Sequence, residues 1–208
     1  MGIRLPKADL LFRQFNLWLV LGLAGLIGLR LFLDRDGPNV LLPTAGLSAP
    51  AFRLTERSGG TVALEDLRGS VWVADFIFTR CKGPCPFLSQ QMARLQTRFA
   101  KAPNFRLVSF SVDPVFDTPA VLRTYAERFR ADPERWFFLT GDAAAVHDIV
   151  VQGFRVAVEG AERPKSSDPL LHSVRLVLVD REGRLRGGYD GTKSKDMKRL
   201  DRDIRVLL

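Results

Sequence analysis

The order of apolar and polar residues predicts an α/β fold, with helices on both faces of a mixed sheet, and three observations carry that prediction. Stretches that read as strands alternate with stretches that read as helices from residue 70 to residue 152, followed by a hairpin and a last helix. "SVWVADFIF" (70–78) is apolar on both faces, as a strand in the middle of a covered sheet must be. Both cysteines of the chain, Cys81 and Cys85, fall between that strand and the helix after it.

Taken in order, residues 1–14 carry Arg4, Lys7 and Arg13 ahead of an apolar run from Phe15 to Leu33, "FNLWLVLGLAGLIGLRLFL". Its strongly polar residues, Asn16 and Arg30, lie near its ends, where Arg30 can snorkel to lipid headgroups. Nineteen helical residues span about 28 Å, enough for a bilayer core, and no polar face recurs at helical spacing. One transmembrane helix over 15–33 is therefore expected. The basic residues before it, against Asp34, Arg35 and Asp36 after it, predict a cytoplasmic amino terminus and an exported remainder. No Ala-x-Ala-like site follows, so the anchor is expected to be retained, and without an Arg/Ser-rich transit segment the expected location is a bacterial inner membrane with the domain in the periplasm. Residues 34–47, with Pro38, Pro43 and Gly46, read as a tether that reaches about 50 Å when extended.

Residues 48–208 then form one domain. "AFRLTERSGGTVAL" (51–64) is an amino-terminal hairpin turning at Ser58-Gly59-Gly60. After the 70–78 strand, the helix following Cys85 has Pro86 in its first turn and puts Leu88, Met92, Leu95 and Phe99 on one face. "FRLVSFSV" (105–112) is the next strand, and Thr118 before Pro119 caps a helix with Val121, Leu122, Tyr125 and Phe129 inward. "RWFFLTG" is a strand, Asp142 to Gln152 a helix stopped by Gly153, and an insert leads to "SVRLVLVDREGRLRGGY", a hairpin turning at Glu182-Gly183. The last helix starts at Ser194 and turns Met197, Leu200, Ile204 and Leu207 inward.

Composition narrows the function. Two cysteines in 208 residues are no disulfide scaffold, so their role is local chemistry. The net charge of +8 comes from basic residues scattered among acids, without a basic block or a nucleic-acid motif, which reads as a solvated surface rather than a nucleic-acid binder.

A strand followed at once by a cysteine pair and a helix narrows the fold to the thioredoxin-like class. At a helix amino terminus, unpaired N–H groups and the macrodipole favour thiolate, and Lys82, Gly83 and Pro84 are loop formers expected to expose the turn. Three residues between the cysteines permit a disulfide, and equally permit both sulfurs to face one soft ion; two buried core cysteines are the bland alternative. "VADFIFTRCKGPC" is similar to the thioredoxin stretch ending W-C-G-P-C, with Asp75 six residues before Cys81 where thioredoxins carry a proton-accepting carboxylate. Here Arg80 stands for the tryptophan, Lys82 is an extra residue, and the pair is C-x-x-x-C.

Four features together resemble the SCO/SenC family of membrane-anchored, thioredoxin-like copper proteins: "TRCKGPCP" (79–86), "SVDPVFDTP" (111–119), "LLHS" (170–173) before a strand, and the amino-terminal anchor. The resemblance implies copper as the bound metal, with Cys81, Cys85 and His172 as its ligands, and a role in building the copper centre of a respiratory cytochrome oxidase. It implies as partners the copper-containing oxidase subunit, a thiol reductant and the membrane. The chain departs from the family in Lys82, where a proline is common, and in Leu171, where an aspartate commonly precedes the histidine. Two thiolates and an imidazole suit copper, whereas structural zinc wants four ligands. The alternatives are a membrane-anchored thiol–disulfide oxidoreductase without a metal, using Cys81 and Cys85 as its redox pair, and a peroxide-reducing enzyme. The latter wants a hydroxyl three residues before its cysteine, where Phe78 stands.

Other polar residues read as structural or auxiliary. His147, beside Asp148, is a solvated helix residue. Asp113 and Asp117 lie either near the cysteines or as a turn former and a helix cap. Asp75 is a buried proton acceptor or, on balance, a carboxylate hydrogen-bonded at the sheet's edge; Met92 and Met197 are core residues rather than copper thioethers.

Overall fold

The structure, a computed structural model, describes residues 47–154 and 174–208. The expected anchor (15–33), the tether up to residue 46, the insert over 155–173 and His172 lie outside the described residues. Among the described residues no helix is long and apolar enough to cross a membrane.

The chain runs β1 (Arg53–Glu56), β2 (Thr61–Ala63), a 3-10 turn (Leu64–Leu67), β3 (Val71–Ile77), α1 (Pro84–Arg98), β4 (Phe105–Ser111), α2 (Pro119–Arg128), β5 (Trp136–Thr140), α3 (Ala143–His147), a π-helical turn (Asp148–Gly153), β6 (Arg175–Val179), β7 (Leu185–Asp190) and α4 (Ser194–Leu207). The seven strands form one sheet in the order β2-β1-β5-β4-β3-β6-β7. β3, β4 and β5 are parallel and the outer pairings are antiparallel, so the sheet is mixed as expected.

All seven residues of β3 are buried, because the sheet is covered on both faces. On one face Val71, Val73 and Ile77 pack with Leu88, Met92 and Leu95 of α1, Leu122 and Tyr125 of α2, and Leu200 and Ile204 of α4. On the other, Trp72, Ala74 and Phe76 meet Phe52, Leu64, Val146, Ile149 and Phe154. Each fully buried Leu or Met contributes about 1.5–3 kcal/mol by leaving water. Alternation along the strand puts Asp75 on the first face, with Val73 and Ile77, and in register with Ser109 of β4.

Local sequence explains the joints. Gly59 and Gly183 take φ of +93° and +79° in the two hairpin turns, a region closed to most side chains. Thr118 caps α2 by accepting from the Val121 N–H at 3.4 Å, and Pro119 occupies its first turn. The helix expected over 142–152 differs in kind: Asp142 caps α3 through Ala144 and Ala145, but the helix widens into a π turn at Asp148. The wider turn belongs to a segment that buries Ile149, Val150 and Phe154 against the aromatic cluster of the second face, a tertiary gain that overrides regular helix.

Candidate functional site

Two parallel strands, β3 and β4, end side by side, with Val112 N–H donating to the Ile77 carbonyl at 2.8 Å. The segment after each ends at the same edge of the sheet. After β3 comes Phe78-Thr79-Arg80-Cys81, a turn closed by the Cys81 N–H on the Phe78 carbonyl at 3.1 Å, and α1 then starts at Pro84. Cys85 is thus the second residue of α1, one turn before Leu88. After β4 comes the loop holding Asp113 and Asp117.

Those carboxylates fix the turn, which sequence reasoning left open. Asp117 is fully buried and accepts from the Thr79 backbone N–H at 3.1 Å, from the Thr79 hydroxyl, and from the Ser111 hydroxyl at 2.6 Å. It is not a helix cap; Thr118 fills that place. Burial raises the Asp117 pKa while the donors of Ser111 and Thr79 pull it back. Asp113, with its N–H on the Ser111 hydroxyl at 3.1 Å, pairs with Arg80, whose Nε donates to its Oδ2 at 3.1 Å, and the Arg80 guanidinium stacks over the Phe116 ring at 4.4 Å. The two residues just before Cys81 are therefore clamped to the β4 loop. The sequence signal was present, two aspartates after a strand, but its use required knowing that β3 and β4 are parallel neighbours.

Both thiols are free and buried, Cys81 7% and Cys85 1% exposed. The turn is exposed at Lys82 and Gly83 as expected, but the expectation of thiolate-favouring cysteines is corrected, because both cysteine side chains are buried rather than open to water. Cys85 is pushed up to about 12, first by burial and further by the neighbouring Cys81 and by Asp75, against the Phe78 backbone hydrogen bond that pulls it down. Desolvation outweighs the favourable helix terminus, which is worth only about 0.3–1 kcal/mol at ordinary sites. The two thiols are in hydrogen-bonding reach of one another.

Beneath them sits Asp75, with no exposure and no hydrogen-bond partner on either carboxylate oxygen. The expected edge position is overturned, since β3 is flanked by β4 and β6. Ser109, its register partner, accepts from Trp136 Nε1 at 2.9 Å; it offsets part of the cost of charging Asp75 without reaching hydrogen-bond geometry. Burial holds the Asp75 pKa up at about 7. Tyr125 completes the surroundings, its hydroxyl 2.9 Å from the Ser89 hydroxyl, and burial raises its pKa, with the charges of Asp75, Cys85 and Cys81 adding to this. Spacing marked Tyr125 as an inward residue of its helix but not as a neighbour of the thiols, and Ser89 did not stand out, because a polar residue on an apolar helix face carries no spacing signal.

Among the described residues no group of three His, Cys, Asp or Glu side chains could hold a metal ion. The two cysteine sulfurs are the soft donor atoms at this turn. The description resumes at Val174, ahead of β6, which runs antiparallel to β3 with Ala74 opposite Val177. That brings Val174 to the Ile77 end of β3. The Gly191 N–H donates to the Val174 carbonyl at 2.8 Å, and a Cβ on Gly191 would stand 2.4 Å from the Leu88 side chain, one turn beyond Cys85. His147, beside Asp148 at 3.5 Å and partly exposed, lies on the opposite face. Met92 is fully buried in the core and Met197 packs against it.

The SCO1/SenC family model matches residues 43–207. The chain is 32% identical over 185 residues to the SCO1 protein homologue of Bacillus subtilis, covering 88% of this chain and 93% of that one. Among solved structures it is similar to BsSco, described as a member of the Sco family of cytochrome c oxidase assembly proteins with a disulfide switch (TM-score 0.67, 29% identity, 77% of this chain and 93% of that one). It is also similar to Bradyrhizobium japonicum ScoI with copper bound (TM-score 0.60, 25% identity, 78% of this chain and 100% of that one). The thioredoxin-like fold read from the sequence is that of these structures.

Two outcomes follow from the carboxylates. Asp117→Ala strands three donors, each costing about 1–3 kcal/mol when buried without a partner, so it should destabilise the chain by roughly 3 kcal/mol or more in urea unfolding and speed alkylation of Cys81. Unchanged stability would mean that the Thr79 and Ser111 donors find other acceptors. Asp75 behaves differently. Its folded pKa of about 7 lies above the unfolded value near ~3.9, so the folded state holds an extra proton and wild-type stability falls as pH rises from about 4 to above 7. Asp75→Asn cannot ionise, so between pH 4 and pH 8 its stability relative to wild type should rise by on the order of 2–4 kcal/mol. A pH-independent difference would show that Asp75 ionises at the ordinary carboxylate pKa.

Proposed function

The chain belongs to the SCO1/SenC family, and on that premise we propose that it is a copper metallochaperone, taking copper as cargo and serving the assembly of the copper centre of a respiratory oxidase. The single observation that carries this reading is the side-by-side pair of free thiols, Cys81 and Cys85, held on the clamped turn between β3 and α1. Two sulfurs suit a soft ion, and copper outcompetes the other divalent metals at thiolate and imidazole donors. The third donor in this reading is His172. Two residues downstream of it, Val174 lies at the β3 end that feeds the cysteine turn and is bonded to Gly191, which closes on Leu88 of α1; both support a reach to the sulfurs. The solved ScoI with copper bound supports the choice of metal, and the BsSco description supports the oxidase as client.

The chemistry assigned to the residues is coordination coupled to proton release. Cys85 is held protonated by burial, so loading the ion displaces its proton, and Asp75 beneath it is the carboxylate whose charge is felt at that sulfur. Oxidation to a disulfide would remove both sulfurs as donors and so link redox state to loading. The metal-free oxidoreductase reading stands second, because the similar ScoI structure holds copper. The reading includes retention in a bacterial inner membrane by residues 15–33, with the domain in the periplasm on a tether of residues 34–47, and use of a thiol reductant.

Cu(I) affinity of the reduced chain, measured by competition with a chelator, tests the ligand set. Cys81→Ser, Cys85→Ser and His172→Ala should each weaken binding at least ten-fold, about 1.4 kcal/mol, and the oxidised chain should bind as poorly as the cysteine variants. His172→Ala should leave disulfide formation intact. Unchanged affinity in both cysteine variants would overturn the copper reading, and unchanged affinity in His172→Ala alone would move the third donor elsewhere.

A further inference from the structure

Five large apolar side chains stand exposed among the described residues, and three of them lie on the segments that flank the cysteine turn: Phe87 (42%), Val115 (85%) and Phe116 (43%). Val115 and Phe116 come from the β4 loop, and Phe87 is two residues beyond Cys85 in the first turn of α1. An isolated exposed apolar residue needs no explanation, but a concentration of them beside a reactive group marks a contact surface. The β4 loop is not loose. The Phe116 N–H donates to the Asp113 carbonyl at 3.1 Å, and its ring is held under the Arg80 guanidinium.

The charges around this face have one sign. Arg80, Lys82 and Arg128 are exposed, whereas the two carboxylates of the loop, Asp113 and Asp117, are buried and committed to Arg80, Thr79 and Ser111. Arg80 and Arg128 line a cleft of about 340 Å³ with Phe116, Val121 and Thr124, whose floor is Tyr125. Thr79 and Arg80, the two residues before Cys81, belong to the lining of this cleft, so it opens next to the start of the cysteine turn.

We propose that this face, Val115 and Phe116 with Arg80, Lys82 and Arg128 around them, is where a folded protein partner docks through an acidic surface, placing one of its carboxylate side chains in the Arg80–Arg128 cleft. The charge complementarity selects the partner: an acidic rim meets Lys82 and Arg128 beside the Arg80–Asp113 pair, while the apolar pair supplies the desolvated centre that holds a transient complex. The arrangement sets the partner's receiving atoms close to Cys81 and Cys85. The inference rests on the copper-chaperone reading for the partner's identity, the copper-bearing oxidase subunit, but not for its readout.

The experiment measures association of the full reduced chain, in detergent, with the copper-free soluble domain of that oxidase subunit from the same genome, and in parallel the Cu(I) affinity of each variant. Arg128→Glu and Val115→Asp should each weaken association at least ten-fold, as should raising salt from 50 to 500 mM, while Cu(I) affinity stays within two-fold of wild type. Both substitutions are at exposed positions outside the proposed ligand set; Arg128→Ala, which adds no charge at the end of α2, should fall between wild type and Arg128→Glu. Wild-type association that is undetectable, or equal in wild type and both variants, overturns the docking face. Loss of association accompanied by equal loss of copper affinity also overturns it, since the variants would then act through the metal site. A wild-type chain that associates but holds no copper leaves the face standing and sinks the chaperone reading instead.

Discussion

Water is kept from the Cys81 and Cys85 side chains, and most of the surrounding structure serves that exclusion. β3 delivers the turn at the end of a strand buried on both faces, α1 starts within it, and the apolar face of α1 continues from Cys85 through Leu88 and Met92 into the core. In water the amino terminus of a helix would favour the thiolate. Here the loss of solvent dominates, and the Cys85 proton is retained until something replaces it. A cation that binds sulfur directly is such a replacement, because it supplies at contact distance the charge that the interior withholds.

Three aspartates around the turn divide the work by how their charge is met. Asp113 is buried against the Arg80 guanidinium, and Asp117 against three hydroxyl and amide donors, so both act as fasteners between the β3 and β4 segments. Asp75 has neither partner, and burial holds its pKa up at about 7, near neutrality. A rigid frame thus encloses one adjustable charge. Gly191 shows how tight the frame is, since its missing side chain lets β7 close on Leu88.

Much of this was legible in the sequence. The uninterrupted apolar run 70–78 announced a central strand, Leu88, Met92 and Leu95 announced the buried face of α1, and Thr118-Pro119 marked a helix start. Parity along β3 places Asp75 with Val73 and Ile77. What could not be read was anything that depends on strand order: that the loop after β4 lies against the turn after β3, and so that Asp117 ties down Thr79 rather than capping α2. Nor could the burial of the thiols be read, because Lys82-Gly83-Pro84 signals a turn but not the direction in which its neighbours point. The π turn after Asp148 was hidden for the related reason that its cause is the aromatic cluster across the sheet, not its own residues.

In the copper site proposed above, one ion is held by two sulfurs of the turn and one nitrogen donor from the segment before β6. X-ray absorption at the copper edge of the copper-loaded, reduced full chain measures that donor set directly. Two sulfur neighbours and one imidazole nitrogen per copper are expected, the nitrogen contribution disappearing in His172→Ala. A copper environment built from nitrogen and oxygen alone, with no sulfur neighbour, would contradict it.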